Sequence, residues 1–298
     1  MKNHLFNIST FLLLLALTAC KTNGDDRKNK DATAEERLYL GQKPPGPMPE
    51  PFAPGIVTTQ GWEYGGAITP DLKEFYFIRE VIDEEGKPSQ QFVLIQDHDG
   101  EWKDSVISAR VGQPIFSPDG KTMHLGRRYK NRNKDGEWSE IKELPAPFDT
   151  LPIMRLSASK LGTYVFDERD TIGTIQYSVL KNGVRQSPKA FGEEINSGSR
   201  TAHPFIAPDE TYLIWDSERE DGKGNSDIYI SFRQQDGSWG KALNLGDRVN
   251  TEAWEAAASV TPDGKYLFFH RNMGSDAFEN ADIFWVSTEI IEDIRPKN

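Results

Sequence analysis

Thr261-Pro262-Asp263-Gly264-Lys265, running straight into Tyr266-Leu267-Phe268-Phe269, decides how this chain folds. Proline presets φ at the first corner of a type I turn, aspartate bonds its own backbone, and glycine takes the left-handed position that follows. The aromatic run beyond it fits a half-buried strand. The unit is therefore a β-hairpin whose register is set by its turn. Thr69-Pro-Asp-Leu-Lys, Ser117-Pro-Asp-Gly-Lys and Ala207-Pro-Asp-Glu-Thr repeat it, and Ser159-Lys-Leu-Gly-Thr is a degenerate copy. Each is followed by its own strand-like run: Phe75-Tyr-Phe-Ile, Met123-His-Leu, Tyr212-Leu-Ile-Trp and Tyr164-Val-Phe. The aspartate position falls at 71, 119, 161, 209 and 263, so the period averages 48 residues.

A second element recurs between the turns: Asp99-Gly-Glu-Trp102, Asp135-Gly-Glu-Trp138 and Asp236-Gly-Ser-Trp239, with Asn182-Gly-Val-Arg185 as a variant. It marks the turn into an outermost strand. Phe92-Val-Leu-Ile, Ile175-Gln-Tyr-Ser-Val, Asp227-Ile-Tyr-Ile-Ser and Asp282-Ile-Phe-Trp-Val-Ser supply third strands, and the second repeat shows no clear one. Four strands per repeat of this length is the accounting of a β-propeller blade. The expected fold is all-β, a single β-propeller of five four-stranded blades; a sixth blade would need a repeat without a visible turn. Val57-Thr-Thr-Gln-Gly-Trp-Glu aligns with Val249-Asn-Thr-Glu-Ala-Trp-Glu, so residues before Gly61 resemble an outer strand without a blade of its own. The last repeat lacks an outer strand. Phe52–Thr58 is therefore expected to complete it and close the ring, leaving no exposed sheet edge.

The Ser/Thr-Pro-Asp-Gly-Lys turn followed by a Tyr/Phe-rich strand resembles the TolB-type, WD-like propeller repeat over residues 55–290. That resemblance implies a propeller and says little about activity, since such propellers include binding modules, periplasmic scaffold components and enzymes.

The N-terminus reads as an address. Lys2 precedes Phe11–Leu17, an apolar run too short to span a bilayer, which needs about 20 residues. Leu17-Thr18-Ala19-Cys20 follows and resembles the bacterial lipobox, whose thiol receives the lipid. The chain's one cysteine stands at the one position that needs it. Residues 1–19 are thus expected to be a lipoprotein signal peptide. Cys20 is the expected site of diacylglycerol and palmitate attachment, and several acyl chains give stable membrane anchoring. Lys21, where an inner-membrane retention signal would place Asp, points to a Gram-negative outer membrane, with the domain periplasmic or surface-facing. Residues 20–50 read as a charged, Pro-rich, flexible tether with a short helix near Ala32–Leu40, and 51–298 as the propeller domain.

The 46 acidic against 35 basic side chains give a net charge of −11. That argues against a nucleic-acid binder, whose footprint would be a basic face. A lone cysteine excludes an internal disulfide framework and a Cys-rich zinc site. No cofactor or metal is expected. Asp216–Asp227, rich in Asp, Gly and Asn, could offer oxygens to calcium, but its spacing is not that of an EF-hand loop, and a plain loop is the favoured reading.

The innermost strand of each blade precedes its turn and lines the central channel. Glu63, Val111, Ile153, Thr201 and Glu255 share one aligned position; Gly65, Gln113, Arg155, His203 and Ala257 share the position two residues on, on the same face. Glu63, Gln113, Arg155, His203 and Glu255 are therefore the candidate ligand-binding residues. His203, Arg155, Glu63 and Glu255 could serve as base, charge neutraliser and acids in a lyase or hydrolase. No catalytic motif supports that chemistry, and a channel lined with solvated polar groups explains the same residues. Arg79, Arg127, Arg169, Arg219 and Arg271 recur after each second strand, which favours a structural role. Arg127–Lys134 packs five cations into eight positions, a solvated loop or a grip on an anionic glycan or acidic partner. Trp62 and Trp254 occupy equivalent places and are expected to pack between blades. The function expected is a non-enzymatic, lipid-anchored module that binds or scaffolds a protein or glycan; the alternative is a surface polysaccharide-active enzyme working at the channel.

Overall fold

The computed structural model describes residues 34–98, 101–169, 173–275 and 278–297. The signal segment, Cys20 and the first part of the expected tether lie outside the described residues. Five four-stranded antiparallel sheets make a five-bladed β-propeller. Blade 1 is Glu63–Ile68, Glu74–Ile82, Pro88–His98 and Glu101–Ala109, from the axis outwards. Blade 2 is Pro114–Phe116, Thr122–Leu125, Arg128–Asn131 and Lys142–Glu143. Blade 3 is Ile153–Ala158, Tyr164–Glu168, Thr174–Ser178 and Lys189–Ala190. Blade 4 is Ser199–Ile206, Tyr212–Glu218, Asp227–Phe232 and Leu243–Asn244. Blade 5 is Glu255–Val260, Tyr266–Asn272 and Ala281–Ser287, completed by Glu50–Pro51 from the other end of the chain. The third strand that the second repeat did not reveal is Arg128–Asn131, hidden inside the cationic run.

The repeated turn works as its chemistry requires. The Gly264 N–H donates to the Thr261 carbonyl at 2.8 Å, the Thr261 hydroxyl donates to Asp263 Oδ1 at 2.7 Å, and the Tyr266 N–H donates back to the Thr261 hydroxyl at 3.0 Å. The fourth position of every copy is left-handed: Leu72, Gly120, Gly162, Glu210 and Gly264 have φ between 58° and 82°. Glu210 replaces glycine there, and its buried carboxylate accepts the Ser159 hydroxyl at 2.6 Å and Arg233 at 2.6 Å. Those bonds offset the steric cost of a side chain in this region.

The clasp exists but is displaced from the expected Phe52–Thr58. Glu50 faces Trp285, Pro51 faces Phe284, and the Phe52 N–H donates the last ladder bond to the Ile283 carbonyl at 2.8 Å. Ala53 and Gly55, with φ of 45° and 80°, then turn the chain out of the sheet. Phe52 is wholly buried, with its ring 4.7 Å from Phe268, 4.9 Å from Phe75 and 5.1 Å from Trp285. One side chain thus joins the first blade to the last.

The second half of the expected flexible tether is packed rather than free. A short helix, Ala34–Leu38, leads into Tyr39, which is fully buried against Tyr266 and Trp285. Its hydroxyl donates to Asp263 at 2.8 Å, and Trp102 Nε1 donates to the Arg37 carbonyl at 3.1 Å. An aromatic and an apolar anchor are what distinguish this stretch from the charged residues before it. At the other end, the helix Glu289–Asp293 buries Ile290 and Ile291 against blades 4 and 5.

Replacing Phe52 by alanine removes the ring that ties blade 1 to blade 5. The expected loss is about 3–5 kcal/mol of unfolding free energy, read from urea denaturation; a loss below about 1 kcal/mol would mean the ring closes without it.

Candidate functional site

The inner strands do not run straight. Register shifts interrupt their pairing with the second strands between Tyr64 and Ala67, Ala202 and Phe205, and Ala256 and Ser259, with a fourth between Ile153 and Leu156. Gly65, His203 and Ala257, three residues of one aligned position, are left-handed, with φ of 66°, 52° and 52°. These bulges turn backbone N–H groups toward the axis. Two buried carboxylates receive them. Asp167 accepts the N–H of Arg155 at 2.7 Å and that of His203 at 2.8 Å, clipping blade 3 to blade 4. Asp216 accepts the Ala257 N–H at 2.8 Å, clipping blade 4 to blade 5.

A polar chain continues from there. Asp216 lies 3.0 Å from His203 Nδ1, so that nitrogen carries the proton. Nε2 lies 2.8 Å from the Tyr64 hydroxyl. Gln113 Nε2 donates in turn to the Tyr64 oxygen at 2.8 Å. Every member is at most 6% exposed. Arg155, 2% exposed, reaches across to donate Nη2 to the Ala258 carbonyl at 3.2 Å. Burial lowers its proton affinity, and Tyr64, Asp216 and Asp167 nearby raise it. Burial pushes the Tyr64 hydroxyl well above the ordinary phenol range, followed by the effect of Asp216.

The structure therefore brings Gln113, Arg155 and His203 together, and adds Tyr64, Asp167 and Asp216. Glu63 and Glu255 are placed elsewhere. Both are wholly buried, and each closes a local loop. Glu255 accepts the Thr251 hydroxyl at 2.6 Å, the Thr251 N–H at 3.0 Å and Arg271 Nε at 2.7 Å. Glu63 holds Thr59 in the same way, at 2.7 and 3.1 Å. Burial raises the Glu63 pKa, while the Thr59 bonds and Arg79 lower it. The bulge explains the difference: strict alternation from Glu63 to Gly65 does not hold across a register shift.

The recurring arginines also serve the scaffold. Arg79, Arg127, Arg219 and Arg271 donate to the carbonyls of Ile56, Asp149, Ile195 and Val249, each in the loop leading into its own blade or the next. Trp62 and Trp254 pair with Ala281 and Ser226 of the preceding blades, the inter-blade packing expected of them. Asp227 accepts the N–H groups of Lys223 and Gly224 and the amide of Asn244, so its oxygens are occupied by donors within the loop.

Two spaces flank the buried cluster. At the turn end the axis widens into a cavity of about 160 Å³ whose lining includes Pro70, Pro118, Pro208 and Pro262. At the opposite end, a groove of about 330 Å³ runs between blades 2 and 3, past Gln113, Arg127 and Arg128. The fold and axis define a five-bladed propeller sealed at mid-height by its own hydrogen bonds. No family model matches the chain, and no curated protein matches it. Similar solved structures include TolB from Acinetobacter baumannii, 17% identical over 77% of this chain with a TM-score of 0.44. The chain spans 55% of that TolB's length. A thermostable family-43 glycoside hydrolase is 13% identical, covering 77% of this chain and 90% of its own, with a TM-score of 0.45. An α-L-arabinofuranosidase from Lactobacillus brevis is 12% identical, covering 77% and 91%, with a TM-score of 0.44.

Two predictions follow from the buried groups. Asp216→Ala leaves the Ala257 N–H and His203 Nδ1–H without an acceptor, at an expected cost of about 2–5 kcal/mol in urea unfolding; a near-neutral result would mean that Asp216 does not hold the axis. The second concerns pH. His270, beside Tyr64 with ring centres 3.9 Å apart, is held at about 3 by burial and then by His203 and Arg155. His124 is held at about 4 by burial and then Arg185. Unfolded, both titrate near 6.5, so the unfolded chain gains protons first as pH falls and folding weakens. Asp282, raised to about 6 by burial and then Glu63, acts in the opposite sense. Glu63, also raised by burial, acts with Asp282. The imidazoles of the unfolded chain take up protons at a higher pH than either carboxyl, so the urea midpoint is expected to fall between about pH 7 and 6. His270→Phe should flatten that slope, and an unchanged slope would remove His270 from the account.

Proposed function

We propose that this chain is a bacterial envelope lipoprotein, anchored through lipid on Cys20, whose TolB-type propeller is a binding or scaffold module for a protein or glycan. The observation that carries the non-enzymatic reading is the state of His203. Both ring nitrogens are engaged, Nδ1 by Asp216 and Nε2 by Tyr64, and the residue is 5% exposed. A general base must come within reach of substrate, and His203 lies buried behind Tyr64 and Gln113, so no substrate reaches its Nε2 unless they move aside. The same arrangement weakens the alternative of a polysaccharide lyase or hydrolase built on His203, Arg155, Glu63 and Glu255, because the two glutamates are tied to Thr59 and Thr251 instead. Support for the anchor comes from the sequence: a short apolar run, small residues, and the one cysteine directly after them. Among the described residues no helix is long and apolar enough to cross a membrane. An outer-membrane destination rests on Lys21.

Metabolic labelling tests the anchor. Radiolabelled palmitate should enter the wild-type chain and not Cys20→Ala, which should leave the membrane fraction; an unlabelled wild type would overturn the lipoprotein reading. Turnover tests the rest. Envelope polysaccharides incubated with the purified protein should yield neither new reducing ends nor an ultraviolet-absorbing unsaturated product. An activity lost in His203→Ala would establish the enzyme instead.

A further inference from the structure

The groove between blades 2 and 3 has a composition at odds with the rest of the molecule. Arg110, Arg127, Arg128 and Arg169 line it, and among the described residues no acidic one does, although the chain carries 46 acidic side chains. Glu143 stands beside Arg127 and Arg128, but at 3.9 and 3.7 Å it makes loose contacts. Both guanidinium side chains remain about 40% exposed. Arg110 is steadied by Gln90 Oε1 at 2.7 Å, and Arg169 has no ion-pair partner among the described residues. Val111, Leu125, Pro152, Ile153 and Met154 form apolar walls between them.

Gln113 adds a second, independent feature. It lines the groove, is 2% exposed, and its Oε1 accepts no hydrogen bond. The hydrogen bond to Tyr64 is made by the nitrogen end of the amide. The Tyr64 oxygen receives the Gln113 N–H, and the Gln113 carbonyl is left unmet. A buried acceptor without a donor is costly. The groove thus offers several cationic donors and one buried acceptor. Sulfate or a bare carboxylate would satisfy the arginines and leave Gln113 unmet. A ligand carrying both carboxylates and hydroxyls satisfies both.

We propose that this groove binds an acidic saccharide, a chain of uronic-acid units, with carboxylates on Arg127 and Arg128 and a ring hydroxyl on Gln113 Oε1. The proposal deepens the binding-module reading and rests on it. A space of about 330 Å³ sits at the low end of small-ligand sites, which run from about 300 to 1,000 Å³. It suits one or two sugar rings rather than a folded protein surface. Planar guanidinium groups match carboxylates in a bidentate fashion, and apolar walls suit the C–H faces of sugar rings.

Isothermal titration of the full-length processed lipoprotein in neutral detergent tests this with galacturonate and mannuronate trimers. At least one trimer should bind, and binding should weaken with added salt. Its methyl ester, which lacks the charge but keeps the hydroxyls, should not bind. Arg127→Ala/Arg128→Ala should weaken binding about tenfold or more, the loss of a charge-assisted hydrogen bond. Arg128→Lys should retain part of it, and Lys134→Ala, outside the groove, should retain all of it. The unfolding midpoint of each variant separates lost binding from lost fold. Equal binding of a triglutamate peptide would overturn the saccharide assignment in favour of an acidic protein partner. Binding unchanged in the double variant, or no binding of either trimer, would overturn the groove, and neither outcome touches the palmitate and turnover tests.

Discussion

Two carboxylates at the axis set the terms for the rest of the molecule. Asp167 takes one backbone N–H from blade 3 and one from blade 4, and Asp216 takes one from blade 5 while holding His203 of its own blade. A propeller gathers its inner strands around a narrow axis, where backbone groups freed by bulges would otherwise be unmet. Placing an aspartate acceptor between neighbouring blades satisfies them and fixes how the blades sit. The left-handed φ values at His203 and Ala257 are tolerated because these bonds hold them.

That solution has a functional consequence. The residues with the most reactive chemistry, His203, Arg155, Glu63 and Glu255, are consumed by structure. Groups so engaged are poor partners for a diffusing substrate. Chemistry open to solvent is displaced to the ends of the axis, an apolar cavity on one side and a basic groove on the other. Gln113 connects the two regions, since it lines the groove while one end of its amide bonds Tyr64 in the sealed cluster and the other is buried without a donor.

Much of the architecture was legible in the chain because turns are local chemistry. Pro-Asp-Gly with its flanking hydroxyl carries enough instruction to place a hairpin, and its period counted the blades. Closure was legible too, through the likeness of Val57–Glu63 to Val249–Glu255, yet the clasp is Glu50–Pro51 rather than Phe52–Thr58. The likeness lies in the loop that Thr59 and Thr251 form with their glutamates, not in the strand before it. The site was harder to read. Alternation put Glu63 and Glu255 on the face of Gln113, Arg155 and His203, and bulges break alternation without a hydropathy signature. Tyr64, Asp167 and Asp216 were missed. For the aspartates a signal was available: each ends an apolar run, Tyr164-Val-Phe and Leu213-Ile-Trp, where a charge has no reason to stand unless something buried needs it.

The groove and the described leader lie at opposite ends of the axis. Tyr39 is tied to Asp263 and Arg37 to Trp102, and Asp263 lies in one of the turns that end the inner strands. The chain therefore reaches the propeller at its turn end. Gln113 immediately precedes the inner strand of blade 2, and Arg127 follows Leu125, the partner of Pro114, so the groove opens at the opposite end. The arginines therefore lie at the end of the axis away from the point where the described leader meets the propeller. Anionic membrane surface and acidic protein body both repel a polyanion, but over a distance of only about 8–10 Å in physiological salt. An anion approaching the arginines from that opposite end is thus screened from acidic side chains that lie more than that distance away.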